Sequence, residues 1–278
     1  MTIRRLTEDD TAQARALWQS AFDDPPAFVD WFFENRFLPE WSAGAFDGPE
    51  LISVVHGTPM ELTVGDGAFS ALMTSGVATK SEDRGQGHMH AVMRFVQAEA
   101  EKRGISALFN HPQRRGAYAH LGFRASTFTK YWQGEGVSAP GKIVPFSPHM
   151  AFGIYTRISH RYSGFVCRDY DAFCLKMADY ASDDAHMFML EQEGEIVGYC
   201  VYFEKEDVWA EEVLSLTEYG PLLHELKRLA GDRRATAKLP PDANAPGQVL
   251  AQNVMLAPAH IWRAMDGSDR PCFCVDEY

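Results

Sequence analysis

The strongest constraint on the fold lies in residues 77–89, where an apolar strand leads through a loop with two glycines into an amphipathic helix. Glycine permits positive φ angles and removes side chains that would keep a ligand away from the backbone. Consecutive N–H groups of such a loop can point at one phosphate group. The first turn of the helix adds unpaired N–H groups and the positive end of its dipole. The pattern predicts an anion-binding turn.

A second pattern further along the chain narrows the interpretation. Residues 118–123 read Tyr-Ala-His-Leu-Gly-Phe. The glycine loop itself places Arg84, Gly87 and Met89 at the positions of a signature that reads Arg or Gln, two residues, Gly, one residue, and Gly or Ala, so Met replaces the last small residue. Together the two segments resemble the GNAT superfamily of acyl-CoA-dependent N-acyltransferases.

The order of predicted elements over residues 1–134 agrees with this resemblance. A short strand and two helices come first, and residues 43–65 alternate around Gly48-Pro49 and around residues 57–59, as strands joined by tight turns do. A strand over 69–79, the glycine loop, a helix, a short buried strand ending at Asn110, a short helix over 113–120 and a final strand over 123–132 follow. Residues 1–134 are therefore predicted to form a catalytic GNAT domain.

The second half repeats this order without the same chemistry. A hairpin over 186–204, a strand, a helix and another strand end near residue 239. The loop at the equivalent place, residues 217–220, has one glycine and an acidic Glu218 where a phosphate would lie. Residues 135–278 are therefore predicted to form a degenerate second GNAT-like domain with a C-terminal tail. The expected fold class is α/β (α+β), with tandem mixed, mainly antiparallel sheets flanked by helices.

This doubled arrangement resembles the enhanced-intracellular-survival (Eis-like) acetyltransferases. Those proteins usually continue into a sterol-carrier-like domain, most of which this sequence lacks. In that branch the carboxylate of the chain terminus reaches the active site of the first domain, and here that group belongs to Tyr278. The resemblance also leaves a homo-oligomer open, because relatives often form one.

Composition limits the other classes of function. Hydrophobic residues make up 46% and charged residues 23%, as in an ordinary globular protein. The net charge of −12 disfavours nucleic acid as a partner and weakly favours a cationic acceptor. The N-terminus lacks the apolar run of a signal peptide, and no apolar stretch reaches the length of a membrane span. We therefore expect a cytoplasmic protein that has no membrane partner.

The sequence offers no convincing metal site. The five cysteines are an odd number in the second half of the chain, which indicates reduced thiols. Cys272 and Cys274 have no second pair at ligand spacing, and His88 and His90 lie two apart on a predicted helix, where side chains point to different faces. We expect no metal.

The resemblance assigns roles to individual residues. It implies acetyl-CoA as the acyl donor, with Arg84 adding positive charge near its phosphates, and it implies edge pairing of the pantetheine amides with Val77 and Thr79. The backbone N–H groups expected to hold the pyrophosphate belong to Gly85, Gln86, Gly87, His88 and Met89, and Asn110 is counted with this coenzyme site. No covalent acyl-enzyme is needed, because positioning supports direct attack by an amine.

Proton transfer needs an acid and a base. Tyr118 is predicted to protonate the leaving thiolate. The carboxylate of Tyr278 is one candidate base, and water relayed to a backbone carbonyl or to an acidic side chain is the alternative. Five aromatic residues are expected either to wall the acceptor pocket or to pack in the core: Trp18, Phe22, Phe28, Trp31 and Phe32. The acceptor is expected to be a small cationic amine; a coenzyme-binding or scaffolding module and a protein-lysine acetyltransferase remain as alternatives.

Overall fold

The computed structural model describes residues 1–112, 116–136 and 141–275. The first half begins with a strand and two helices, continues with three antiparallel strands, and then places a long helix before a short strand. Its elements are β1 (Thr2–Arg5), α1 (Thr11–Ala21), α2 (Pro26–Asn35), β2 (Ala43–Asp47), β3 (Glu50–Val64), β4 (Gly67–Thr79), α3 (His88–Lys102), β5 (Ala107–Asn110), α4 (Gly116–Ala119), β6 (Arg124–Ala125) and β7 (Phe128–Trp132).

The second half repeats a hairpin, a strand, a helix and a strand, as its sequence predicts, but it also carries elements that the periodicity did not indicate. These additions are a strand and a helix at its start, before the helix that the capping residue Asp169 predicts, and two strands and a helix at its end. The elements are β8 (Lys142–Pro145), α5 (Pro148–Ser159), α6 (Tyr170–Ser182), β9 (His186–Gln192), β10 (Glu195–Glu204), β11 (Val208–Ser215), α7 (Gly220–Ala230), β12 (Ala235–Leu239), β13 (Gln248–Ala251), β14 (Val254–Leu256) and α8 (Ala259–Asp266).

The strands form two seven-stranded sheets. The first has the order β1-β2-β3-β4-β5-β14-β6, and the second has the order β13-β7-β12-β11-β10-β9-β8. Neighbours run antiparallel, except that β4 pairs with β5 and β11 pairs with β12 in parallel. Helices cover these sheets, so the predicted fold class of two mixed, mainly antiparallel sheets is confirmed.

A two-stranded ribbon, here called the crossing ribbon, connects the sheets through residues 124–132 and 248–256. β7 pairs with β13 in the second sheet, and β6 pairs with β14 in the first. Between these pairs Ser126 N donates to Asn253 O at 3.0 Å, and Gln252 N donates to Thr127 O at 2.9 Å. The prediction of one strand over 123–132 is therefore wrong: the chain changes sheets at Ser126 and Thr127, and an alternating pattern cannot reveal which sheet a strand joins. The predicted division at residue 134 stays a prediction.

The predicted turn at residues 57–59 is also wrong, because these residues lie inside β3. Pro59 pairs with Leu72 of β4, whereas β2 accompanies β3 only as far as Val55. Pro59 therefore lies beyond the end of β2, where a missing backbone donor is tolerated as it is at a sheet edge. The turn at Gly48-Pro49 lies between β2 and β3 as predicted.

Both sheets bury side chains on both faces. In the first sheet Leu72 packs in the cluster of α3, whereas Met73 packs in the cluster of α8. In the second sheet Cys200 packs with α7, whereas Tyr199 packs with α5 and α6. Helices α1 and α2 form a further cluster against β3, and α6 of the second half packs against α2. This contact brings the second half to the border of the site described below.

Candidate functional site

A cavity of about 930 Å³ opens where β4 and β5 diverge. The two strands pair only from Ala71 to Thr74 on β4, and β5 ends opposite Thr74 at Asn110. Residues 75–79 of β4 continue without β5 beside them and line the cavity. An exposed strand edge of this kind can pair with an extended ligand.

A bulge shapes the same edge. The register between β3 and β4 shifts so that Val54 faces Ala78 while His56 faces Ser75, which leaves one extra residue on β4. Gly76 within this bulge has a φ of 51°. A Cβ at Gly76 would lie 2.1 Å from the Trp18 ring, so this position requires glycine for its backbone conformation and for space. The Trp18 ring therefore packs directly behind the edge that borders the cavity.

The glycine loop forms another wall of the cavity. Gly85 and Gly87 have φ angles of 79° and 83°, and a Cβ on either would meet nothing within 4 Å. These glycines are therefore required by backbone conformation and not by crowding. The first helical bond of α3 runs from Ala91 N to Gly87 O at 3.1 Å, so the preceding N–H groups of the helix are available to an anion.

The residues predicted to bind the coenzyme are gathered around this cavity with one exception. Val77, Thr79, Arg84, Gly85, Gly87, His88, Met89 and Asn110 line it. Gln86 is not among its lining residues, and its side-chain amide donates instead to Glu82 O at 3.5 Å. Arg84 Nε donates to Thr79 O at 3.1 Å, which ties the loop to the end of β4. Their roles in binding remain predictions.

Tyr118 lies on α4 at the cavity wall. Its side chain is buried, and its ring contacts Phe123 with centroids 5.5 Å apart. Burial raises the pKa of the Tyr118 hydroxyl to about 12, and the side-chain amide of Asn110 acts in the opposite direction. His90 Nε2 lies 3.1 Å from Ala117 O and joins α3 to α4. Because its pKa is raised, the Tyr118 hydroxyl stays protonated at neutral pH, as a proton donor must be.

His111, which the sequence analysis did not single out, also lines the cavity. It follows β5 directly, and its Nδ1 lies 3.0 Å from Oδ1 of Asn253. The sequence did hold a signal, because residues after the carboxyl end of a parallel strand are favoured ligand sites. Its partner was beyond reach of any local pattern, since Asn253 lies 142 residues away.

Aromatic and acidic side chains also line the cavity. Phe22 and Phe28 line it, whereas Trp18, Trp31 and Phe32 are not among its lining residues and pack in the cluster of α1 and α2. The aromatic set is thus divided between wall and core, and its role in acceptor binding remains a prediction.

Two carboxylates that line the cavity were also missed by the sequence predictions. Asp24 accepts from Trp18 Nε1 at 2.7 Å, and Asp183 comes from the end of α6. Both line the cavity. Burial raises the pKa of Asp183, and the neighbouring carboxylates of Asp24, Asp184 and Asp179 add to the increase, whereas Lys205 opposes it. The two halves of the chain therefore both contribute a carboxyl group to the cavity lining.

Three further expectations concern the terminal tyrosine, a metal site and a membrane span. Tyr278, the candidate base, lies outside the described residues. Within the described ranges, no group of three or more His, Cys, Asp or Glu side chains is placed to hold a metal ion. No α-helix in those ranges combines the length and apolar character needed to span a bilayer.

The site can now be compared with known proteins. Residues 2–126, a little under half of the chain, match the family model described as an acetyltransferase (GNAT) domain. A comparison with curated proteins gives no match.

Solved structures resemble nearly the whole chain. A conserved protein of unknown function from Enterococcus faecalis, described as a probable N-acyltransferase, gives a TM-score of 0.73 at 17% identity, with 92% of this chain and 72% of that chain covered. A GCN5-related N-acetyltransferase from Anabaena variabilis gives 0.73 at 11%, covering 91% and 72%. Eis1 from Mycobacterium abscessus gives 0.69 at 16%, covering 92% and 74%. At these identities the likeness shows the fold. Residues 2–126 are therefore similar to a GNAT acetyltransferase domain, and this match supports an N-acetyltransferase as the enzyme class of this chain.

Proposed function

We propose that the protein transfers an acetyl group from acetyl-CoA directly to the nitrogen of a small cationic amine. The observation that carries this proposal is that the glycine loop, the open edge of β4 and Tyr118 line the same cavity. Such a cavity offers both phosphate-binding N–H groups and a proton donor.

The chain's own groups would orient the donor. The N–H groups of residues 85–89 hold the pyrophosphate, and Arg84 adds positive charge beside it. The edge of β4 at Val77 and Thr79 pairs with the pantetheine amides as an added strand would. This pairing places the thioester near Tyr118 and reduces the entropy lost in the attack, which is a large source of rate acceleration.

Acyl transfer forms one bond, breaks another and moves protons to and from side chains of the cavity. The amine nitrogen forms a bond to the thioester carbonyl carbon, and the carbon–sulfur bond breaks. The cationic amine first gives one proton to solvent, because its nitrogen needs a lone pair to attack. During the transfer Tyr118 gives its hydroxyl proton to the leaving sulfur, and His111 accepts the second proton that the nitrogen loses. That proton then returns from His111 to Tyr118 through solvent, which restores both residues. Imidazole suits this task because its ordinary pKa lies near neutrality. Tyr278 and a water relay remain candidate bases beside it.

Carboxyl groups in the cavity lining support a cationic substrate. Asp24 and Asp183 line the cavity, and the chain carries a net charge of −12. An ammonium group would relieve the repulsion between these carboxylates. This preference, the doubled fold and the likeness to Eis1 support membership of the Eis-like branch.

Thiol release from acetyl-CoA, measured over a panel of mono- and polyamines, tests the proposal. We expect turnover with at least one polyamine, and we expect Tyr118→Phe to reduce kcat by about 100- to 10,000-fold. Tyr202→Phe is a matched control, because Tyr202 is equally buried and burial also raises its pKa to about 12, yet it lies in the second sheet.

Two results would contradict the proposal. Full activity in Tyr118→Phe would exclude this residue as the acid. Thermal stabilisation by coenzyme A without thiol release from any amine or lysine peptide would favour a coenzyme-binding module, and release with lysine peptides alone would favour a protein-lysine acetyltransferase.

A further inference from the structure

We propose that Asn253, a residue of the second half, positions His111 in the active site of the first half. This inference rests on the proposed function, and it adds a positioning residue that lies far from the GNAT signature in sequence. The geometry behind it is the 3.0 Å contact between His111 Nδ1 and Asn253 Oδ1.

The strand pairing explains why these two side chains meet. In the antiparallel register of β14 with β5, Val254 faces Asn110. The next step in each chain therefore brings Asn253 beside His111. Asn253 O also accepts from Ser126 N at 3.0 Å, so its backbone is held by β14 on one side and by the crossing ribbon on the other. The side chain thus projects from a fixed point.

The burial of the Asn253 amide indicates that this side chain does more than fill space. Asn253 is 0% exposed, and its Nδ2 has no hydrogen-bond partner among the described residues. A buried amide donor without a partner lowers stability relative to a satisfied one. An apolar residue would avoid that cost, so the contact of Oδ1 with His111 is the feature that requires asparagine.

The contact also fixes the chemistry of the ring. A carbonyl oxygen only accepts, so the facing Nδ1 must carry the proton, and the lone pair of neutral imidazole then lies on Nε2. Nε2 becomes the atom that accepts the amine proton. The amide has no charge, and it therefore orients the ring without the rise in imidazole pKa that a carboxylate would cause.

Other titratable groups share the cavity and must be separated from His111 in any pH experiment. They are Tyr118, His88 and His90 on the surrounding helices, Asp83 and Arg84 in the loop, and the carboxyl groups of Asp24 and Asp183. A direct reading of the His111 ring avoids this overlap.

Nuclear magnetic resonance of the full chain with isotope-labelled histidine gives that reading, with His111→Gln identifying the signals. We expect wild-type His111 to be the Nδ1–H tautomer when neutral. Asn253→Leu should release this preference and lower kcat by about 10- to 100-fold, because a small loss of orientation has effects of that size. The KM for acetyl-CoA should stay unchanged, since Asn253 is not among the residues that line the cavity.

Asn253→Asp provides a second, opposite change. Its carboxylate should keep the Nδ1–H tautomer and raise the His111 titration midpoint by about 1 pH unit or more, and the acidic limb of kcat/KM should move with it. Ser126→Ala is the matched control, because it removes a buried hydroxyl without a partner beside Asn253 and leaves the contact with His111 intact.

An Nε2–H tautomer in the wild type, or a tautomer and a pH profile that Asn253→Leu leaves unchanged, would overturn the inference. The histidine signals do not require turnover, so the two proposals fail separately. Absence of thiol release with the Nδ1–H tautomer in place would refute the proposed function, whereas turnover with an unaffected ring would refute the role of Asn253.

Discussion

At the scale of single residues, His56 of β3 is unusual because it is a buried base without a partner. It is 1% exposed, and neither ring nitrogen has a hydrogen-bond partner among the described residues. The rings of Trp18, Phe32 and Phe33 surround it, with centroids 5.4–5.7 Å from its own. Burial lowers its pKa to about 3. The neutral ring is therefore the form that the folded protein accepts.

This environment predicts a loss of stability in acid. The unfolded chain binds a proton at His56 near pH 6.5, and the folded chain does so only near pH 3, so unfolding is favoured progressively as the pH falls between these values. The contribution is about 1.4 kcal/mol per pH unit over that window. His56→Leu should remove it, and should cost little at pH 8 because it also removes two unsatisfied nitrogens.

Urea unfolding at pH 8 and at pH 5 measures this effect. The difference in unfolding free energy between the two pH values should be smaller in His56→Leu than in the wild type. The exposed His160 serves as the control, since His160→Gln should leave the difference as it is. Equal pH dependence in wild type and His56→Leu would refute the account.

At the scale of elements, the glycine loop before α3 allows two roles of a glycine to be tested separately. One is to adopt a positive φ angle, and the other is to leave backbone N–H groups open to a ligand. Gly87 has a φ of 83°, and Gly48, in the turn between β2 and β3, has a φ of 56°. A Cβ would meet nothing within 4 Å at either position. Alanine therefore imposes a similar backbone strain of about 1–2 kcal/mol at both.

Only one of these glycines borders the cavity, which makes them a matched pair. We expect Gly87→Ala and Gly48→Ala to lower the unfolding free energy by similar amounts. Gly87→Ala alone should weaken coenzyme A binding by about 10-fold or more. The altered backbone would turn the N–H groups of the glycine loop away from the phosphates. Calorimetric titration of coenzyme A measures this, and equal affinities in the two variants would contradict the predicted anion site.

Strand β11 carries a buried charge that a sequence pattern could not explain. Glu212 is 0% exposed, and its carboxylate accepts from the hydroxyls of Tyr199 and Tyr180, the latter at 3.2 Å. Arg168 Nη1 lies 3.6 Å from the same carboxylate. Because a buried carboxylate has no water around it, it needs hydrogen bonds and an opposite charge from the protein. Its partners on α6, on β10 and in the loop before α6 must therefore be held in place around it.

Removing this carboxylate should be severe. We expect Glu212→Ala to lower the unfolding free energy by about 3–5 kcal/mol, because it removes one partner of a buried ion pair with Arg168. Glu212→Gln should cost less, since its amide oxygen still accepts from a tyrosine. Thermal unfolding measures both, with the exposed Glu206→Ala as control; a mild effect of Glu212→Ala would show that the cluster tolerates rearrangement.

Elements with local signals were the predictable part of the fold. Helix α3 and its glycine loop follow from a period of 3.6 residues and from two glycines that the backbone requires, and the hairpin β9–β10 follows from alternation. Short strands were not predictable, because β14 has only three residues and its position depends on β5 and β6. Tyr118 was predicted because it belongs to a local sequence pattern. His111 and Asp183 were missed because their place at the cavity depends on residues far away in the chain.

At the scale of the whole molecule, the two sheets share the crossing ribbon, so neither half is complete alone. The first sheet takes β14 from the end of the second half, and β7, which precedes residue 134, belongs to the second sheet. We therefore expect residues 1–134 expressed alone to lack a cooperative thermal transition and to bind no coenzyme A. The full chain should unfold in a single calorimetric transition. A fragment that unfolds cooperatively and binds coenzyme A would instead support an independent first domain.

The position of β14 has a consequence for protein synthesis. β14 lies inside the first sheet, between β5 and β6, although the ribosome produces it after the other thirteen strands of the described residues. The nascent chain must therefore keep the edge of β5 unpaired, and His111 without Asn253, until residues 253–256 have left the ribosome tunnel. A chain whose translation stops before this point contains the whole glycine loop and Tyr118 but lacks the strand that pairs with β5 in the first sheet.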